Sequence, residues 1–352
     1  MTLEEVVRSI IPADQKAAAA AKARWDSIAK PLGSLGALED AVIRMAAMMG
    51  TPDVDISKRA VVVMCADNGV VAQGVTQTGQ EVTAIVAENM SSGDTSVCAM
   101  SRHAGVEVLP VDIGTATPLK GERILQKNIR RGTADLTQGP AMTREEAERA
   151  VLTGVEIAKD LCDKGVKLLA TGEMGIGNTT TSSAVACVFL DKEPVVMTGR
   201  GAGLSSEGLQ RKIHAIETGI AVNQPDPNDP LDVVSKVGGL DLAGLAGVFL
   251  GGAMCHVPVM VDGFISSVAA LIAARICPDC KDYMLGSHAS DEPASKLVLA
   301  ELGLEPFLYA GMRLGEGTGA VAVTPLLDMG LAVYREMTTF EATDIEAYQP
   351  LT

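Results

Sequence analysis

Short β-branched runs closed by turn residues alternate with helical patterns along most of the chain, and this alternation limits the fold more than any other feature. Ala60–Cys65 runs into Ala66-Asp-Asn-Gly69, and Val106–Ile113 into Gly114-Thr115. Val166–Ala170 leads to Thr171-Gly-Glu173, Val257–Val261 to Asp262-Gly263, and Tyr283–Leu285 to Gly286-Ser-His288. Helical spacing fills the intervals at Thr83–Asn89, Glu145–Lys164, Thr180–Phe189, Leu209–Val222, Gly244–Met254 and Ser266–Ile276. Apolar strands separated by helices specify a parallel sheet covered on both faces. The expected class is therefore α/β, a parallel sheet with helices on both faces. Ligands of such sheets sit beyond the carboxyl ends of the strands, which is where the polar and Gly-rich strings of this chain fall.

The two ends of the chain read differently. Ala17–Trp25 and Leu35–Gly50 are helical with no strand between them, and Gly319–Arg335 is a further apolar helical stretch that Pro325 is expected to interrupt. Residues 1–50 with 320–352 are expected to form a small helical domain, and 51–319 the α/β domain.

Charge and sulfur narrow the function. A net charge of −15 repels phosphate backbones and anionic lipid, so nucleic acid and membrane partners are not expected. Local amides and one lysine still suffice to hold a small anion. The opening Met1-Thr-Leu-Glu-Glu-Val lacks the basic segment and apolar core of a signal peptide, and no apolar run is of spanning length, so a cytoplasmic location is expected. Seven scattered cysteines read as small hydrophobes. Cys277 and Cys280 form a C-x-x-C, but no second pair with zinc spacing accompanies it. No metal site and no cofactor are expected.

Arg313-Leu-Gly-Glu-Gly-Thr-Gly319 places one carboxylate, Glu316, among three glycines just before an apolar run. Held by the main chain in a turn and desolvated, such an acid has a raised pKa and suits a general base; a tight turn with its acid in water is the other reading. Thr171-Gly-Glu-Met-Gly-Ile-Gly-Asn-Thr-Thr-Thr-Ser-Ser183 is read as a loop that follows a strand and opens a helix. It lacks the third glycine of a dinucleotide fingerprint and the Gly-Lys of a P-loop. Its amides, with Asn178 and Thr179, make a site for a single phosphate, although Thr and Ser there also serve as ordinary caps. Gly199–Gly208 is a second loop before a helix, carrying Gly201 and Gly203, with Lys212 one turn further on. That lysine is either a point charge for phosphate or a solvated helix residue.

Gly286-Ser-His-Ala-Ser290 offers a Ser287–His288 pair without the G-x-S-x-G elbow of acyl transfer, so ligand binding or capping is the better reading. Asp67 and Asp262 each end a strand, where they bind ribose hydroxyls or cap turns. His103, His214 and His256 have no ligand-like spacing and read as structural.

Seven strings together resemble one family, the nicotinate-nucleotide:dimethylbenzimidazole phosphoribosyltransferases of cobamide lower-ligand assembly. They are Lys30-Pro-Leu-Gly-Ser-Leu-Gly-Ala-Leu-Glu39, Ala66-Asp-Asn-Gly-Val70, Gly172-Glu-Met-Gly-Ile-Gly-Asn-Thr-Thr180, Gly199-Arg-Gly-Ala-Gly203, Val261-Asp-Gly-Phe264, Gly286-Ser-His-Ala-Ser290 and Gly315-Glu-Gly-Thr-Gly319. Each alone is weak, but they run collinearly from residue 30 to 319. The resemblance implies a Rossmann-like α/β catalytic domain, residues 51–319, with a small helical domain. It implies transfer of phosphoribose from nicotinate mononucleotide to an aromatic base by a dimer of like or unlike subunits. It implies Glu316 as general base and Glu173 as a second acid near the reacting centre. Around phosphate and ribose it implies Gly175, Gly177, Asn178, Gly203, Lys212 and Ser290, which join Thr179, Gly201 and Asp262.

Where family members commonly read Gly-Val-Ser-x-Tyr-Pro-x-x-Val-Thr, this chain has Gly74-Val-Thr-Gln-Thr-Gly-Gln-Glu-Val-Thr83, with Asn68 upstream in place of His. The acceptor pocket is expected at Thr76, Thr78, Gln80 and Leu314. The lost aromatic and proline point to an altered acceptor, such as phenol or cresol in place of a benzimidazole. Two other readings compete with this one. A dinucleotide-dependent oxidoreductase needs a complete G-x-G-x-x-G after the first strand, which is missing. A non-catalytic partner subunit has no need to keep Glu316.

Overall fold

The computed structural model describes residues 1–348. Its centre is a six-stranded parallel sheet: β1 (Arg59–Ala66), β2 (Val106–Gly114), β3 (Leu125–Gln126), β4 (Leu168–Met174), β5 (Val259–Val261) and β6 (Met284–Gly286). The strand order is β3-β2-β1-β4-β5-β6, the doubly wound arrangement expected for a Rossmann-like fold. Ala60 through Ala66 have no exposed surface. Successive side chains of a strand point to opposite faces, so both faces of β1 are covered. Helices 81–92, 240–254, 264–276 and 318–336 pack against the sheet. Chain direction across the sheet reverses between β1 and β4, the switch point at which α/β ligand crevices form.

Three expectations from the sequence are corrected. The strand expected at 166–170 occupies 168–174, so Thr171-Gly-Glu-Met belongs to the sheet and is not a loop. Glycine and glutamate have low strand propensity, but Gly172 pairs with Val63 and Glu173 with Met64 of buried β1, and tertiary pairing prevails. Pro325 does not interrupt the last helix, which runs unbroken from Thr318 to Glu336. Burial of Val321, Val323, Leu327 and Leu331 on the core side outweighs the lost N–H. The two-residue β3 was invisible to pattern reading, because so short an edge strand carries no periodicity.

The terminal segments meet as their helical patterns suggest. Helix 37–49 packs on helix 318–336. The Trp25 and Tyr334 rings lie 5.1 Å apart. Ile28 bridges Thr339, and Arg24 donates to the Met337 carbonyl. Residues 349–352 of the expected helical unit lie outside the described residues. Among the described residues no helix is long and apolar enough to cross a membrane.

Candidate active site

A cavity of about 390 Å³ opens at the switch point. Its wall includes Glu173, Gly175, Gly177, Asn178 and Thr179 from the β4 end, Gly201 from the following loop, and Leu314 with Glu316 from the turn before helix 318–336. A smaller lobe of about 50 Å³ adds Asp262, His288, Ser290 and Glu292. A second depression, about 700 Å³, lies elsewhere, between Trp25 and the Lys30–Glu39 loop. It holds none of Glu173, Asp241, Asp262 and Glu316. Lys30 there pairs with buried Glu39 at 2.5 Å and stands 5.1 Å from the Trp25 ring, so that string shapes the helical end of the molecule.

Four carboxylates converge on one end of the cavity. Glu173 is the penultimate residue of β4 and is buried. Burial pushes its carboxyl up to about 8; the Asn178 amide opposes the shift, and Asp241, Asp262 and Glu316 add to it. Glu316 sits at φ 61, the left-handed region that a side chain rarely occupies. Its Oε2 accepts the N–H of Val97 at 3.1 Å, in the first turn of helix 96–104. Burial also raises Glu316, against that N–H. The carboxylate is thus anchored by one oxygen, which leaves the other for the cavity. A Cβ on Gly315 would overlap Oε1 of Glu173, and one on Gly172 would lie 2.5 Å from the Glu316 carbonyl. Only glycines let the turn and the strand end approach so closely.

The start of helix 178–190 offers the cavity a place for an anion. The helix follows Gly177, φ 94, with no side-chain cap. The Asn178 and Thr180 amides donate to the Gly175 and Gly177 carbonyls, and no side chain of its own covers the helix start. Lys212 lies beneath, with no exposed surface. Its ammonium donates to Thr179 Oγ1 at 2.8 Å and to the Gly199 carbonyl at 3.1 Å. Burial lowers its pKa to about 8, against the pull of Glu292. The Gly201 N–H is occupied by Glu292 Oε1 at 2.9 Å. Gly175, Gly177, Asn178, Thr179 and Gly201 thus line one cavity, Ser290 lines the adjoining lobe, and buried Lys212 reaches them through Thr179.

Other assignments acquire different work. Asp262 does the work of a cap: its oxygens accept from Gly317 at 3.2 Å and Ala320 at 2.9 Å and clamp the Glu316 turn. It also lines the smaller lobe of the cavity. Asp67 likewise accepts from the Ala116 N–H. Thr76 and Thr78 line the cavity, with the Thr76 hydroxyl donating to the Thr78 carbonyl. Gln80 is not in the wall: its amide donates to the Asn68 carbonyl at 3.0 Å and ties two loops together. Gly203 is held by the Gln77 amide at the loop's edge.

Ser287 and His288 hydrogen-bond at 3.0 Å but are buried behind Gly319, so they present no nucleophile. Cys277 and Cys280 are buried and burial raises both thiols, which leaves them unreactive. Sequence reading missed three contributors: Val97, Glu292 and Asp241. For Asp241 the signal was present, since it is the lone charge in the apolar run Leu240–Met254, and an unpaired buried acid is rare.

Fold and site together define an α/β transferase of the nucleotide-handling kind. A family model described as phosphoribosyltransferase matches residues 10–345. The nicotinate-nucleotide–dimethylbenzimidazole phosphoribosyltransferase of Acetivibrio thermocellus is 50% identical over 93% of each chain. The one from Clostridium acetobutylicum is 46% identical over the full length of both. The crystal structure of CobT from Thermus thermophilus superposes with a TM-score of 0.90 at 39% identity, over 94% of this chain and 99% of that one. The chain belongs to the nicotinate-nucleotide–dimethylbenzimidazole phosphoribosyltransferase family, and it is a transferase.

Proposed function

We propose that this enzyme moves phosphoribose from nicotinate mononucleotide to an aromatic acceptor of the 5,6-dimethylbenzimidazole type. Nicotinate and an α-ribotide phosphate are the products, for use in cobamide assembly. The observation that carries the reading is that one cavity is lined both by the carboxylates Glu173 and Glu316 and by the start of helix 178–190, with the Lys212 ammonium held behind it on Thr179. The names of the relatives support it.

Phosphate binds at Gly175, Gly177, Thr179, Gly201 and Lys212, with Ser290 beside it, and the ribose lies along Asn178 towards Glu173. Nicotinate departs with the electron pair of the glycosidic C–N bond, which neutralises its pyridinium nitrogen, so no general acid is needed. The acceptor's unprotonated ring nitrogen attacks the anomeric carbon, and the proton on its other ring nitrogen passes to the free oxygen of Glu316. Glu173, as a carboxylate, stabilises the positive charge that grows on the sugar between bond breaking and bond making. The cationic donor itself favours that ionised form, against the raised pKa that burial imposes.

The acceptor lies against Thr76, Thr78, Val86, Met174 and Leu314, and a phenolic O–H meets Glu316 as an N–H does. The enzyme acts in the cytoplasm as a dimer of like chains or with a paralogous subunit, an arrangement that light scattering of the purified protein measures. Of the described residues, 1–50 and 320–348 form its small helical domain, and 51–319 the catalytic one.

The test is mass spectrometry of products formed from nicotinate mononucleotide with dimethylbenzimidazole, benzimidazole, phenol and p-cresol. Equimolar nicotinate and ribotide phosphate are expected, and the acceptor giving the higher kcat/KM sets the specificity. No nicotinate release with any acceptor overturns the reading.

A further inference from the structure

Asp241 has no exposed surface and no place in the chemistry described so far. It lies in the first turn of helix 240–254, where its Oδ1 accepts the Leu242 N–H at 3.0 Å. Its Oδ2 accepts the Asn178 side-chain amide at 3.0 Å, and the same nitrogen also donates to Oε2 of Glu173. One amide thus bridges two carboxyl groups with its two hydrogens. We infer that Asp241 is a positioning residue: through Asn178 it fixes which oxygen of Glu173 is presented to the donor sugar. This inference rests on the proposed reaction.

The argument is one of donors and acceptors. An amide can turn either its NH₂ or its carbonyl towards Glu173. Burial pushes the Asp241 carboxyl up to about 6, and the helix N-terminus favours its ionised form; above that pH it accepts only, so it holds the NH₂ on that side. Glu173 must then accept at Oε2. Whatever proton it carries sits on Oε1, the oxygen packed against Gly315 of the catalytic turn. The protein also makes room for the bridge. A Cβ on Gly175 would stand 2.7 Å from Asp241 Oδ2, and one on Gly239 would stand 2.5 Å from Oδ1. Gly175 therefore admits Asp241 in addition to lining the cavity. The groups facing Glu173 are Asp241 from helix 240–254, Asp262 from the β5 end and Glu316 from the turn, with Asp67 behind Asp241. All are acids, so removing one negative charge lowers the Glu173 pKa.

Asp241→Asn keeps the shape while removing the charge and the selection. Its kcat is expected to fall about 10- to 100-fold, the usual cost of a loosened reacting group, with KM for nicotinate mononucleotide within about threefold of wild type. In carboxyl-¹³C-glutamate NMR, with the signal assigned by Glu173→Gln, the Glu173 titration midpoint is expected to move to lower pH. A folded Asp241→Asn protein with kcat within about twofold of wild type and an unmoved midpoint overturns the inference. Should that variant fail to fold, Asp241→Ser, which also removes the charge and the acceptor-only selection, is read by the same kcat and KM outcomes. If wild type itself releases no nicotinate, it is the reaction that fails, while the midpoint still reports on the Asp241–Glu173 bridge.

Discussion

The two ends of the cavity present opposite chemistry and suffer the same physical cost. At one end Glu173, Asp241, Asp262 and Glu316 are all raised by burial. At the other, Lys212 is lowered by burial. Desolvation disfavours charge of either sign, so near neutral pH the protein alone holds both ends closer to neutrality than water would. A donor with a cationic ring at one end and a phosphate at the other supplies the missing counter-charge to each. What differs is how the groups are held. The acids are fixed by main-chain donors and one amide, whereas the lysine is fixed by a threonine hydroxyl and a carbonyl.

Substitutions at the two ends should separate in kind. Glu316→Gln keeps an acceptor for Val97 but loses the base; kcat is expected to fall about 10²- to 10⁴-fold, the range for general-base loss, with donor KM little changed. Initial rates under saturating donor check this, and an unchanged kcat moves the base elsewhere. Lys212→Met should act on the other parameter, raising donor KM by about 10- to 100-fold, as the loss of a charged contact would. Equal effects of both variants on kcat alone would erase the contrast.

pH should distinguish the ends again. Lys212 loses its charge as pH rises through its lowered pKa of about 8, so donor KM should climb above that pH. This climb should be absent in Lys212→Arg, measured from pH 7 to 9.5. Stability should show the smallest effect. The folded pKa of Glu173, about 8, lies above the unfolded value of about 4.3. Its neutral form therefore favours the folded state at low pH, and that contribution disappears as pH rises from the unfolded value through the folded one. Glu173→Gln should melt about 2–5 °C above wild type at pH 8.5 and close to it at pH 4.5. Scanning calorimetry at the two pH values decides.

Much of this was readable from the chain, for reasons that differ by element. The alternation of strands and helices exposed five of the six strands, because buried parallel strands are apolar along their whole length. Glu316 was legible because a lone acid among glycines has few other uses. Lys212 was legible only as a member of a pattern, since nothing in Leu209–Val222 marks it as buried. Glu173 was assigned to a loop although it ends a strand, because pairing with Met64 overrides its propensity. Val97 and Glu292 could not be found, since each contributes through a contact spanning 219 or 91 residues of sequence. Gln80 was misplaced because facing direction within a turn region is not encoded in residue type.

The most direct test is a crystal structure with a non-hydrolysable nicotinate mononucleotide analogue and dimethylbenzimidazole bound. The account predicts phosphate at the start of helix 178–190 near Lys212. It also predicts the free Glu316 oxygen within about 3.2 Å of the acceptor nitrogen, with Val97 still holding the other. Phosphate at the acid end, or Glu316 turned into solvent away from the sugar, would contradict it.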